Sequence, residues 1–249
     1  MSEQIQNWNV LWRKNENKML GFGPSLRHKI RLVLGVMRRH GLLKREISLV
    51  DIACGSGVFL SRIQSKIGTV AGVDSSSVAL EMAHERVPQA RYRVLDIEQT
   101  ALPELFDVVT CMNALEEMKD DRIALRHMSA MTKPGGGYLI LVVPHAKKYW
   151  TKKDEDALNQ RRYEINELVT LCAEAGFEKV EIFTWGWPIF SWYYSFMSQV
   201  NQEKLLQSKI RVLITRLAQQ IFYVIFFIDD AFVFFGRGRV LVGLFRKIA

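Results

Sequence analysis

Leu49-Val-Asp-Ile-Ala-Cys-Gly-Ser-Gly-Val-Phe-Leu60 is the stretch on which the fold of this chain turns. The apolar run from Ile47 to Ala53 reads as a buried parallel strand. It breaks into a turn of small residues, Cys54-Gly55-Ser56-Gly57, and Val58 opens a helix. A strand, a glycine turn and a helix let backbone approach a ligand closely at the carboxyl end of a sheet. A dinucleotide fingerprint would read G-x-G-x-x-G, but Leu60 stands at its last glycine. Asp51 also lies at the strand end, where a pyrophosphate would be repelled. The turn therefore suits a cationic nucleoside better than a diphosphate.

The flanking segments agree. Gly68-Thr-Val-Ala-Gly-Val-Asp74 is a second strand ending in a carboxylate about 20 residues past the glycines, where an acid grips ribose hydroxyls. Ser75 follows it and begins the next helix. Arg91-Tyr-Arg-Val-Leu-Asp96 is a third strand, again ending in an acid. Beyond it lie a fourth strand (105–111), a helix (120–131) stopped by Lys133-Pro-Gly-Gly-Gly137, and a fifth strand (138–143). A helix (164–175), a sixth strand (179–185) and a last strand (240–246) complete the core. Helices alternating with buried strands predict an α/β fold with a doubly wound, mostly parallel, seven-stranded sheet.

These motifs together resemble the class I S-adenosylmethionine (SAM) methyltransferases of the small-molecule, type 11/12 kind. The likeness rests on D-x-A-C-G-S-G (Asp51 to Gly57), the acids Asp74 and Asp96, Phe106-Asp-Val-Val, the Lys133-Pro-Gly-Gly-Gly stop and Gly176-Phe177. It implies SAM as cofactor, held by Asp51, Cys54, Gly55, Gly57, Asp74 and Ser75. By the same resemblance, Asp96 and Ile97 meet the adenine, and Asn113 and Leu115 flank the methionine part. It also implies leading helices, read here at 3–20 and 25–40, that close over cofactor and substrate. The chain departs from the family at two places: Glu117 and Asn159 stand where relatives often carry histidines.

A hydroxyl acceptor needs its proton removed. His145, just past the fifth strand, is the candidate base, with Tyr163 and Asn159 as positioning groups. No H-E-x-x-H or clustered carboxylates mark a metal site, so none is expected. The function expected is methyl transfer to a small lipophilic metabolite, aromatic or polyene-like, with O-methylation favoured. The alternative is a binding or scaffold protein of the same fold, which the two missing histidines favour.

One domain over 1–249 is expected: leading helices at 1–45, a SAM-binding core at 46–186, an inserted helical cap at 187–236 and the last strand at 237–249. The cap carries thirteen aromatics between Trp187 and Phe235. Two readings of it are open. A buried cap would line a closed apolar pocket; an interfacial helix would touch a membrane. Ile221 to Phe235, 15 residues containing Asp229 and Asp230, reads as too short and too charged to span a bilayer.

The net charge of +8 is uneven: residues 25–45 carry seven bases and no acid, and 201–249 carry eight bases and three acids. An anionic membrane surface or an acidic carrier protein presenting the substrate fits these flanks. No aromatic-interleaved RNA module accompanies them, which argues against nucleic acid. Three scattered cysteines and a polar start without a signal-peptide core point to the cytoplasm.

Overall fold

The computed structural model describes residues 8–10, 12–13, 23–199 and 209–248. Most of the expected first helix lies outside them; Trp8 to Val10, Trp12 and Arg13 are helical. In chain order the core elements are α1 (Pro24–Arg39), β1 (Ser48–Ile52), α2 (Val58–Ile63), β2 (Thr69–Asp74), α3 (Ser77–Arg86), β3 (Arg91–Val94) and β4 (Val108–Met112). Then come α4 (Asp121–Met131), β5 (Tyr138–Pro144), α5 (Lys152–Asp156), α6 (Ile165–Glu174), β6 (Phe177–Trp185) and α7 (Ile189–Gln199). Helix α8 (Lys209–Ile225) runs on into a 3-10 stretch, Phe226–Phe235, before β7 (Val240–Lys247).

The seven strands lie in the order β3-β2-β1-β4-β5-β7-β6. Strands β1 to β5 pair in parallel, and β7 runs antiparallel between β5 and β6. The chain winds outward from β1 to β3, then returns to place β4 on the other side of β1. The carboxyl ends of β1 and β4 therefore diverge, and ligands bind open α/β sheets at such a reversal. Strand β1 is buried at Leu49, Val50, Asp51 and Ile52, as a central parallel strand must be.

The sheet separates two cores. On one face α4 and α6 pack Leu125, Met128 and Leu168 against Val109, Leu139 and Leu141. On the other, Val33, Val36 and Met37 of α1 meet Val108, Ile140 and Val142, and Trp185, Phe190 and Phe226 continue that layer. Each fully buried aliphatic or aromatic side chain contributes about 1.5–3 kcal/mol relative to exposure.

Three strand boundaries move by two or three residues, and β6 starts early, at Phe177. The fourth strand starts at Val108, because Asp107 turns its carboxylate to the Ser48 amide (2.9 Å), the Ser48 hydroxyl and Lys133. The third ends at Val94, because the Asp96 side chain accepts the Glu98 amide (3.0 Å) and bends the chain.

The insertion departs more from expectation. Among the described residues its helices do not seal an aromatic pocket over the strand ends. They extend the α1 layer on one face of the sheet. The buried Asp229 carboxylate accepts the amides of Ile189 and Phe190 at 2.8 Å each and so pins the start of α7 to the 3-10 stretch. Asp230 accepts from Arg31 (2.7 Å) and from the Trp185 indole (3.0 Å). Of the thirteen aromatics, Phe190 and Phe226 are fully buried, while Trp192, Phe196, Phe227, Phe234 and Phe235 face solvent. A layer one helix thick can hide only one side of each helix, so an all-round apolar segment keeps part of its surface outside.

Candidate active site

A cleft of about 500 Å³ opens where β1 and β4 end. A smaller hollow of about 70 Å³ adjoins it and shares Trp8, Ala53, Asp74, Ser75, Ala114 and Glu117 with it. The backbone here is strained. Ala53 after β1 and Asn113 after β4 both have φ of 53°. Left-handed backbone costs a non-glycine residue about 1–2 kcal/mol. Such strain gathers where function dictates the turn. In the glycine turn itself, Gly55 has φ +52°, and an added Cβ would lie 2.9 Å from the Trp12 ring.

Asp74 organises the turn. Its carboxylate accepts the Gly55 amide at 2.8 Å and the Ser76 amide at 2.9 Å. Asp51 accepts the Thr110 hydroxyl at 2.6 Å and is buried, and burial, reinforced by Asp74, pushes its carboxyl up to about 7. Burial also raises Asp74, and Glu117 beside them is pushed well up by burial and by Glu116. With Asp96 and Glu98 in the smaller hollow, the charged side chains lining the two spaces are all acidic among the described residues. Grouped carboxylates short of water favour a cation that replaces the lost solvation.

Eight of the ten expected cofactor residues line this space: Asp51, Cys54, Gly55, Asp74, Ser75, Asp96, Ile97 and Asn113. Gly57 lies behind it, where a left-handed φ of +70° and its amide bond to the Cys54 carbonyl (3.0 Å) start α2. Leu115 is a correction: it is fully buried in the core, and its carbonyl accepts the Tyr163 hydroxyl.

The three expected catalytic residues are not among those lining the cleft. The buried His145 ring bonds through Nδ1 to the Gly238 carbonyl (2.6 Å), and its Nε2 lies 3.8 Å from Glu164. Burial holds its pKa below the ordinary histidine value. Tyr163 is packed in the core, with its hydroxyl donating to Asp121 at 2.9 Å. Asn159 donates to Asp154 at 3.0 Å and braces the buried Arg162–Asp154 pair. The residues past β5 that sequence spacing aims at the substrate thus hold a loop together.

Several lining residues carry no sequence motif: Trp8, Trp12, Leu26, Met112 and Gln219 reach the cleft from other elements. Behind it, the Lys29 ammonium donates to the Asn113 side chain. Glu116 lies close to Lys29; it is 4% exposed, and its Oε2 has no hydrogen-bond partner among the described residues. Burial raises Glu116 and lowers Lys29, so each resists the charge it would carry in water.

The sheet order, the glycine turn and the acidic cleft at the β1–β4 reversal are those of a class I SAM-dependent methyltransferase. Residues 26–182 match the family model described as a methyltransferase domain, and the chain belongs to that family. It is 37% identical over 93 residues to dTDP-4-amino-2,3,4,6-tetradeoxy-D-glucose N,N-dimethyltransferase of Saccharopolyspora spinosa, covering 36% of this chain and 37% of the relative. It is 35% identical over 94 residues to ubiquinone biosynthesis O-methyltransferase of Pseudomonas putida, covering 35% of this chain and 40% of the relative. The matches thus span about two-fifths of the length of these curated relatives. The N-methyltransferase NodS of Bradyrhizobium japonicum, solved with S-adenosyl-L-homocysteine, shares the fold at a TM-score of 0.59 and 16% identity, over 90% of this chain and 88% of NodS.

The cofactor of this family is SAM, and the donor set fits it. The acidic wall suits a sulfonium and an ammonium, and Asp74 and Asp96 suit hydroxyl and amine donors.

Proposed function

We propose that the protein methylates an oxygen of a small lipophilic metabolite. SAM supplies an electrophilic methyl group on a positively charged sulfur. The chain's own residues hold, orient and dry the reactants. Leu26, Val58, Phe59 and Met112 make the cleft wall apolar, and Trp8 and Trp12 shield it from water. These residues, rather than the aromatics of the insertion, support a lipophilic acceptor.

The observation that carries the reading is Glu116. Behind the cleft wall, beside the Lys29–Asn113 contact, this buried carboxylate is raised toward neutrality and has one oxygen without a partner among the described residues, which suits it to take up a proton released in the cleft. The acceptor oxygen would take the methyl group as the methyl–sulfur bond breaks, the sulfur would leave as a neutral thioether with that electron pair, and Glu116 would hold the proton lost from the oxygen. Lys29 stabilises the ionised form of Glu116 beforehand. His145 becomes a support for the loop past β5 rather than the base.

The test is turnover of SAM with a panel of lipophilic phenols and amines, with the methylated atom read by mass spectrometry. O-methyl products, formed faster as pH rises from acid to neutral, support the proposal. Products methylated only on nitrogen overturn it.

A further inference from the structure

We infer that the insertion is a docking surface for an anionic lipid bilayer, lying in the plane of the membrane. The surface-facing side of α8 and its 3-10 extension presents Ile214, Leu217, Ile221, Val224, Phe227, Ile228, Phe234 and Phe235, all exposed. From Ile214 to Ile228 their spacing of three and four puts them on a single stripe, and Phe234 and Phe235 stand exposed at the end of the 3-10 stretch. Phe234 is 93% exposed, a state that gains nothing in water. On α7 the exposed rings of Trp192 and Phe196 stack at 5.8 Å, with Trp192 6.4 Å from Phe222 of α8.

The acids that argue against spanning a bilayer in the sequence are both bonded to the rest of the fold. Asp229 is fully buried on the amides of α7, and Asp230 is bonded to Arg31 and Trp185. By length and composition the 22 residues Ile214–Phe235 would suffice to cross a membrane. The fold holds them on it instead. Phe226 is fully buried with Trp185 and Phe190, so a spanning arrangement would tear one face of the core.

Charge selects the occupant. Beside the stripe, between α1 and α8, a groove of about 490 Å³ is lined by Arg27, Arg31, Arg38, Arg62 and Tyr223, with no acidic residue in its wall. Arg38 and Arg62 are exposed. Arg27 lies over the Tyr223 ring at 3.6 Å and Arg31 over Phe227 at 4.4 Å, so the basic groove and the apolar stripe share residues. An apolar strip bordered by arginines matches an acyl boundary beneath anionic headgroups. Gln219 of the same helix lines the active-site cleft from the side of α8 opposite the stripe, so docking leaves the cleft wall uncovered by lipid. The docking does not rest on the methyltransferase reading.

The full chain should co-sediment with phosphatidylglycerol vesicles at low salt and stay in the supernatant with phosphatidylcholine alone. The double variant Ile221→Asp/Val224→Asp should weaken binding about tenfold or more. Arg38→Glu/Arg62→Glu should weaken it about tenfold and reduce its salt sensitivity. Circular dichroism and cofactor affinity check that each variant is folded and the cleft intact. Equal sedimentation of a folded Ile221→Asp/Val224→Asp variant and wild type overturns the proposal. So does a wild-type protein that ignores phosphatidylglycerol and instead forms a dimer that Ile221→Asp/Val224→Asp dissolves.

Discussion

The carboxyl ends of β1, β2 and β4 and the insertion from 187 to 236 are built from opposite kinds of information. In the first region each functional residue is tied to its place by a local rule. Asp74 must end a strand to reach the Gly55 and Ser76 amides, and Gly55 must be glycine to sit against Trp12. In the second region composition says only that the segment is apolar. Which side is covered depends on α1 and on the two acids, Asp229 and Asp230, that anchor it. A binding site made by the ends of strands is thus written position by position. A surface made by a helix is decided by what the rest of the fold leaves uncovered.

The largest expected effect concerns the chemistry at the first region's edge. Glu116→Gln should lower kcat by roughly 10²–10⁴-fold, the usual cost of losing a general base, with cofactor affinity unchanged. The rise in rate from acid to neutral pH should vanish with it. His145→Ala should change kcat less than threefold once the variant is shown to be folded. A large loss there with an unaltered Glu116→Gln would return the base to His145.

Next come the residues that form the turn. Gly55→Arg should abolish cofactor binding, because a side chain at φ +52° meets the Trp12 ring. Asp74→Ala should weaken binding about 100-fold or more, through the ribose contact and two freed amides. Calorimetry reads both, and neither should alter vesicle binding.

A smaller effect should separate the halves. Asp229→Ala leaves two backbone amides without their partner, at a cost of about 2–4 kcal/mol, seen as a lower Tm. Cofactor affinity should stay within twofold. A parallel loss of affinity would show that the two regions do not stand independently.

The smallest effect is in pH dependence. Burial holds the folded Asp51 carboxyl at about 7, so the folded protein keeps a proton that the unfolded chain releases near pH 4. Its stabilising contribution is present below pH 4 and is lost as pH rises through 7. Asp51→Asn should remove about 1–2 kcal/mol of that pH-dependent change, read as a flatter Tm profile relative to wild type between pH 4.5 and 7.5. Identical profiles would place Asp51 in a wetter setting.

Legibility in the sequence follows the same division. The seven strands, the parallel core and the acids Asp51, Asp74 and Asp96 are readable because strand periodicity and turn chemistry act over a few residues. The antiparallel direction of β7 and its place between β5 and β6 are not written in any pattern within 240–247. Tyr163 and Asn159 mislead because spacing cannot say whether a side chain past a strand turns to the cleft or to its own loop. Glu116 is passed over because an acid before a helix has a simpler explanation, and only burial reveals its unpartnered oxygen. Asp229 and Asp230 read in the sequence only as charges that argue against spanning a bilayer; their role as anchors of the insertion on α7 and α1 depends on distant partners that no local pattern names.

The central claim is that the acidic cleft at the β1–β4 reversal holds a cationic nucleoside. Titration of the full chain with SAM by calorimetry, repeated at pH 7 in buffers of different ionisation enthalpy, tests it most directly. Micromolar binding with protons released to the buffer is the expected result, because a bound cation lowers the raised carboxyl of Asp51 and its neighbours. A wild-type protein that is folded and gives no heat with SAM at millimolar concentration in any of these buffers would contradict the account.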